Sequence, residues 1–248
     1  MITDSMGLIP SFTVQMDIHD VLYLSYLIPE KRLRPAIPDN VRFAVTSQDK
    51  TIVSLVIFHS KNVRASFFPF VRFDYDQANI RTYVLDPITG KPAVFFLRSG
   101  ITSPLIAAIT RVLGIPWQSI SMRLDVQHDN NPSYHYAVEG NWEGDFNVRL
   151  NENQDPLIDM EPFQTPEEAT HFLTGPSVGF YGSSGGLIRF EVKHSAIKPS
   201  MGKLSAIDFP VLVRSGLLTD GELWFPHGAL IARHGLFSVS MPPTRVST

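Results

Sequence analysis

Hydrophobic and polar positions alternate along most of the chain with a period of two, which is the strand pattern. In "SISMRLDV", Ile120, Met122, Leu124 and Val126 face one way, and Ser121, Arg123 and Asp125 the other. In "NIRTYVL", Ile80, Thr82 and Val84 share one face, with Asn79, Arg81 and Tyr83 opposite. A turn built on Pro87 and Gly90 follows, then "PAVFFLR", so these segments predict a hairpin. "TIVSLVIF" is a continuous β-branched and aromatic run, and "YHYAVEG", "DFNVRL" and "LIRFEVKH" alternate again.

Two helices interrupt this pattern. Ser103 is a good N-cap, Pro104 occupies the first helical position and Gly114 closes the end. Between them Leu105, Ala108, Ile109 and Val112 form one apolar stripe, with Arg111 beside it. The second helix starts at Thr165, with Pro166 next and Glu168 completing a capping box, and ends near Gly175. Many strands and few helices predict an α+β fold with one large, mostly antiparallel sheet or barrel. A single domain spans 1–248, with about ten N-terminal residues and the closing "MPPTRVST" as loose ends. "EKRLR" (Glu30 to Arg34) reads as a surface turn, and "NENQDPLIDMEPFQ" (151–164) as a long surface loop or a lid.

Composition narrows the function classes. A net charge of −3 and scattered basic residues leave no footprint for nucleic acid. Without cysteine there is no disulfide, thiolate metal site or cysteine nucleophile. The best apolar window near the N-terminus, "VLYLSYLI", is far shorter than the roughly 20 residues of a membrane span. Asn131-Pro132-Ser133 is disqualified as a glycosylation site by its proline. A cytoplasmic protein with no membrane partner is the expectation.

Candidate chemistry is sparse. "GSSGG" matches G-x-S-x-G at Ser184, but a strand follows where a helix is needed, so a hairpin tip is expected. The eight histidines show no metal-ligand spacing; no metal and no cofactor is expected. Lys193, Lys198 and Lys203 sit among polar or turn residues, a setting that suits surface lysines better than a desolvated Schiff-base amine. The face carrying Asn79, Arg81 and Tyr83 admits two readings. It is the solvent side of a one-sided sheet, or it presents a guanidinium fork to a carboxylate or enolate.

Taken in order, "YLIPEKRLRPAIP", "YDQANIRTYV", "AVFFLR", "RVLGIPWQS", "FLTGPSVGFY" and "LIRFEVKH" resemble the DUF2071 family of the acetoacetate decarboxylase-like superfamily, over roughly Val21 to Leu217. The resemblance implies a β-cone with a closed central cavity and a few flanking helices, and it suggests homo-oligomers. In true acetoacetate decarboxylases the corresponding helix ends in a glycine–x–proline turn followed by two lysines, one of which forms an imine with the ketone. Here Gly114, Ile115 and Pro116 keep the turn, but Trp117 and Gln118 follow it. The family's acid in a Y-x-E pattern falls on Gln77. The resemblance thus implies a cavity stripped of Schiff-base chemistry. The expected site has Arg81, Tyr83 and Arg111 as catalytic groups. Gln77, Asn79, Phe96, Trp117, Gln118 and Met122 would bind substrate, with Trp117 either a stacking face or a plug beneath the helix end. The expected activity is lyase, isomerase or cyclase chemistry on a small apolar carbonyl or carboxylate compound; the alternative is a binding protein without turnover.

Overall fold

A computed structural model describes residues 2–3, 10–128, 134–153, 161–183 and 186–246. The Asn131 tripeptide, Ser184 and residues 154–160, half of the expected 151–164 loop, lie outside them. The chain opens with β1 (Ile2–Thr3), β2 (Phe12–Pro29), α1 (Glu30–Leu33), β3 (Lys50–Ala65), β4 (Phe68–Leu85) and β5 (Pro92–Ile101). Next come α2 (Pro104–Val112), β6 (Gln118–Ser119), β7 (Ser121–His128), β8 (Tyr134–Asn141), β9 (Asp145–Asn153) and α3 (Pro166–Thr174). The remainder is β10 (Val178–Ser183), β11 (Gly186–His194), β12 (Ser200–Asp208), α4 (Pro210–Arg214), α5 (Asp220–Leu223), β13 (Gly228–Met241) and β14 (Thr244–Val246). Glu30 to Leu33 is therefore a short helix, not the expected turn, and Arg32 pairs with Glu222 at 2.7 Å. No helix among the described residues is long and apolar enough to cross a membrane.

The strands pair in the order β11-β10-β5-β4-β3-β2-β13, and β11 pairs again with β13, which closes them into a ring. Only β10 and β5 run parallel within it. β13 splits its free edge: its far half meets β11, while Leu230 and Ile231 pair with β12. From β12 the sheet continues through β9 and β8 to β7, as a second layer outside the ring. The result is a cone with a flap, not a regular barrel.

This arrangement explains why "TIVSLVIF" does not alternate. Strands buried on both faces need apolar residues at every position. Leu55 and Ile57 point outward into the main core, with Ile80, Phe95, Tyr136, Val148 and Phe209. Val56 and Phe58 point inward. β7 buries Met122 and Leu124 in the outer core, as its alternation predicts.

Both helices begin as expected, but α2 turns the other way. Ser103 Oγ accepts from the Ile106 N–H, and Gly114 follows at φ 79°, a backbone that favours glycine. The predicted stripe is outside, however: Leu105, Ile109 and Val112 are exposed, and Ala107 and Thr110 are the buried positions. Thr110 is tolerated there because its hydroxyl donates to the Ile106 carbonyl at 2.9 Å. For α3, Thr165 Oγ1 accepts from the Glu168 N–H at 3.1 Å, while the Glu168 carboxylate reaches back to the Gln164 N–H instead of to Thr165. β10 and β11 form a hairpin with Ser183 opposite Gly186.

Candidate functional site

The ring encloses a cavity of about 480 Å³. Its most informative wall is β4, whose inward side chains descend as Phe73, Tyr75, Gln77, Asn79, Arg81 and Tyr83. The polar face of "NIRTYVL" thus looks into the cavity and away from solvent. α3 covers the floor: Ala169, Phe172 and Leu173 pack against Tyr23 and Tyr83. At the other end the wall frays into exposed Phe67, Phe68 and Val71, beside Ile109 of α2.

Arg81 sits at the floor. It donates to the Leu173 carbonyl at 2.7 Å and to Tyr83 Oη at 3.3 Å. The first bond satisfies a carbonyl at the C-terminal end of α3, where positive charge is favoured. Its guanidinium also lies 5.4 Å from the Tyr23 ring centre and 5.5 Å from that of Tyr83. Burial works against the charge, but the phenols of Tyr83 and Tyr23 more than offset it and hold the pKa above its ordinary value. Arg81 Nε is buried and has no hydrogen-bond partner among the described residues. No ion pair among them includes Arg81. Tyr83 is buried one step deeper and does not border the cavity. Its hydroxyl donates to the Leu173 carbonyl at 3.2 Å and meets Ser54 Oγ, also at 3.2 Å. Tyr83 therefore positions Arg81 and α3 and is not placed to touch a ligand.

Above this floor, Gln77 Nε2 donates to Asn79 Oδ1 at 2.9 Å, both buried and both on the cavity wall. Trp117 enters from the turn after α2. Its Nε1 donates to Tyr181 Oη at 2.5 Å, and that hydroxyl meets Ser99 Oγ at 2.7 Å. The indole's donor is thus already used, and what Trp117 offers a ligand is its face. Phe96 stacks on Tyr181 with ring centres 5.0 Å apart. Gly179 makes room for this layer, since a Cβ there would meet the Phe190 ring at 2.5 Å.

Besides Tyr83, three expected site residues do not line the cavity. Gln118 lies on the other side of the wall, where its Oε1 accepts from Arg98 at 3.0 Å and from Trp142 Nε1 at 2.7 Å. Adjacent residues in a strand face opposite ways, so with Trp117 inward Gln118 must point out. Met122 is on β7, in the outer layer, and joins the outer core. Arg111 is exposed at the end of α2 and does not line the cavity; its side chain donates to the Trp117 carbonyl at 3.5 Å.

Tyr23, Tyr75, Tyr181 and His194 line the cavity without having been expected. Burial pushes the Tyr23 phenol up to about 12 and raises Tyr75 and Tyr181 as well. At neutral pH these groups are hydrogen-bond donors, not bases. Lys193, Lys198 and Lys203 are exposed, and among the described residues no lysine, aspartate or glutamate lines the cavity. Its permanent charges are two arginines, Arg64 at the mouth and Arg81 at the floor.

The family model DUF2071, described as an uncharacterized conserved protein, matches residues 15–233. No curated protein matches the sequence. The enduracididine biosynthesis enzyme MppR, complexed with the condensation product of pyruvate and imidazole 4-carboxaldehyde, superposes with a TM-score of 0.63 at 14% identity, over 98% of this chain and 92% of that one. An acetoacetate decarboxylase-like enzyme from Sphingomonas wittichii RW1 gives 0.59 at 12% identity, over 99% and 98%. Acetoacetate decarboxylase from Legionella pneumophila subsp. pneumophila str. Philadelphia 1 gives 0.57 at 13%, over 96% and 87%. The fold is that of the acetoacetate decarboxylase-like proteins.

Proposed function

Because the chain belongs to the DUF2071 family and encloses a cavity with a cationic floor, we propose that it binds a small apolar carbonyl or carboxylate compound there and acts on it without a Schiff base. The observation that carries this reading is Arg81, a part-buried guanidinium on the cavity wall with no carboxylate of the described residues against it. Its hydrogen bonds go to neutral oxygens, so the charge has no counter-ion, and an anionic ligand or a developing enolate gains free energy by docking on it. Gln77 and Asn79 orient the same group, the Trp117 and Phe96 faces cover its apolar part, and Tyr23 supplies a neutral O–H to an oxygen that gains charge. Such an arrangement suits proton transfer, dehydration or cyclisation next to a carbonyl, in keeping with the pyruvate-derived ligand of MppR. It does not suit an imine, since the described wall offers no amine.

A binding protein without turnover is the second reading. It is favoured by the lack of any carboxylate base in the described lining. Borohydride reduction in the presence of acetoacetate or pyruvate decides the covalent question, and the expected result is no adduct on any lysine. Calorimetric titration with the same acids tests the floor: binding should fall at least tenfold in Arg81→Gln. Equal binding by both proteins refutes the proposal. Ligand consumption by wild type but not by Arg81→Gln rejects the second reading.

A further inference from the structure

The cavity changes character along its axis. At about 3.3 Å per residue, the eight steps from Phe73 to Arg81 span roughly 26 Å. On this ladder the amide and guanidinium side chains, Gln77, Asn79 and Arg81, lie in the lower part, below the phenol of Tyr75. Higher up, the walls are Val14, Val63, Phe73 and Ile106. The rim continues this surface into solvent, with Phe67 at 70% and Phe68 at 54% exposure on the β3–β4 hairpin and Ile109 at 46% on α2. A compact keto acid would occupy the floor and leave the apolar upper chamber to water, which finds too few polar partners there.

We propose, building on the reading above, that the ligand is a linear amphiphile: a monocarboxylate whose head sits on the Arg81 guanidinium and whose unbranched hydrocarbon chain rises past Trp117 and Phe96 to leave between the hairpin and α2. The head meets the part of the Arg81 guanidinium that faces the cavity and supplies the counter-charge it lacks. The chain buries itself on mainly apolar walls, where Tyr75, Thr110, Tyr181 and His194 are the polar side chains it passes before Arg64 at the mouth, and the exposed rim phenylalanines cover the methylenes that emerge. The structure thus assigns Arg81 the choice of head group and the upper chamber the choice of chain length.

Calorimetry with straight-chain carboxylates from butyrate to palmitate, and with the matching primary alcohols, tests this. Each added methylene should tighten binding about fourfold until the chain reaches the rim, after which the gain per methylene should shrink. Carboxylates should exceed alcohols by at least tenfold, and that advantage should vanish in Arg81→Gln. Phe67→Ser with Phe68→Ser alters only exposed positions, so it should weaken palmitate several-fold and leave butyrate unchanged. Arg81-dependent binding of pyruvate or acetoacetate with no dependence on chain length overturns the amphiphile and leaves the proposed function standing. Failure of every carboxylate, short and long, overturns both.

Discussion

Trp117→Lys returns an amine to the wall at the one member of the Trp117–Gln118 pair that faces the cavity. The indole is half-buried and donates to Tyr181 at 2.5 Å. Losing its packing costs about 2 kcal/mol, because the lysine stem refills part of the space. Losing its hydrogen bond costs about 1 kcal/mol more. A total of about 3 kcal/mol lies below the roughly 5–15 kcal/mol that holds a domain folded, so the variant should fold. The new ammonium enters an apolar chamber whose permanent charges are Arg64 and Arg81. Desolvation and like charge both lower its pKa. A drop of about 2 units leaves about a hundredfold more neutral amine at neutral pH than a surface lysine has. Borohydride reduction with acetoacetate, followed by mass mapping, should therefore yield an adduct at position 117. Gln118→Lys is the control, because its side chain points outward toward Arg98 and Trp142. Equal trapping in both variants, or none in Trp117→Lys, would refute the assignment of the two faces.

Gln118→Ala should leave Trp142 Nε1 unpaired and cost about 1–3 kcal/mol, lowering the urea midpoint at constant m while ligand affinity stays unchanged. Gly140→Ala is expected to cost about 3 kcal/mol or more and to cut soluble yield, since its Cβ would lie 2.1 Å from the Ser121 carbonyl oxygen across the β7–β8 ladder. Alkaline stability follows from the buried phenols. Between about pH 10 and 12 the unfolded chain releases a tyrosine proton that folded Tyr23 keeps, so its stabilisation is present below pH 10 and lost as pH rises to 12. The slope is about 1.4 kcal/mol per pH unit, and denaturant titrations should show it flattened in Tyr23→Phe.

The sequence carried local facts well and closure poorly. The alternation of Asn79, Arg81 and Tyr83 against Ile80, Thr82 and Val84 is a property of β4 alone, and it was legible. Which face looks into a cavity depends on β11 meeting β13, a contact no local pattern encodes. Tyr23 was hidden for the same reason: "VLYLSYLI" reads as plain core until the ring gives its two faces different neighbours. Gln118 was misplaced because the resemblance aligned a pair of positions, while the strand sends its two side chains to opposite sides. Met122 had the right partners on its face, but β7 lies in the outer layer. The α2 stripe misled because periodicity finds an apolar face without saying whether anything covers it, and here Ala107 and Thr110 take the buried side.

The ring is unevenly fastened. β2 shares long ladders with β3 and β13, from one end of the wall to the other. The β10–β11 hairpin is held by only three residue pairs to β5 on one side, and by three to β13 and three to β14 on the other. It behaves as a loose stave in a hooped cask, and it is the stave that carries Tyr181 and Phe190. Amide exchange should be quickest along the short joint to β5, and a guest that grips Tyr181 would act as the missing hoop.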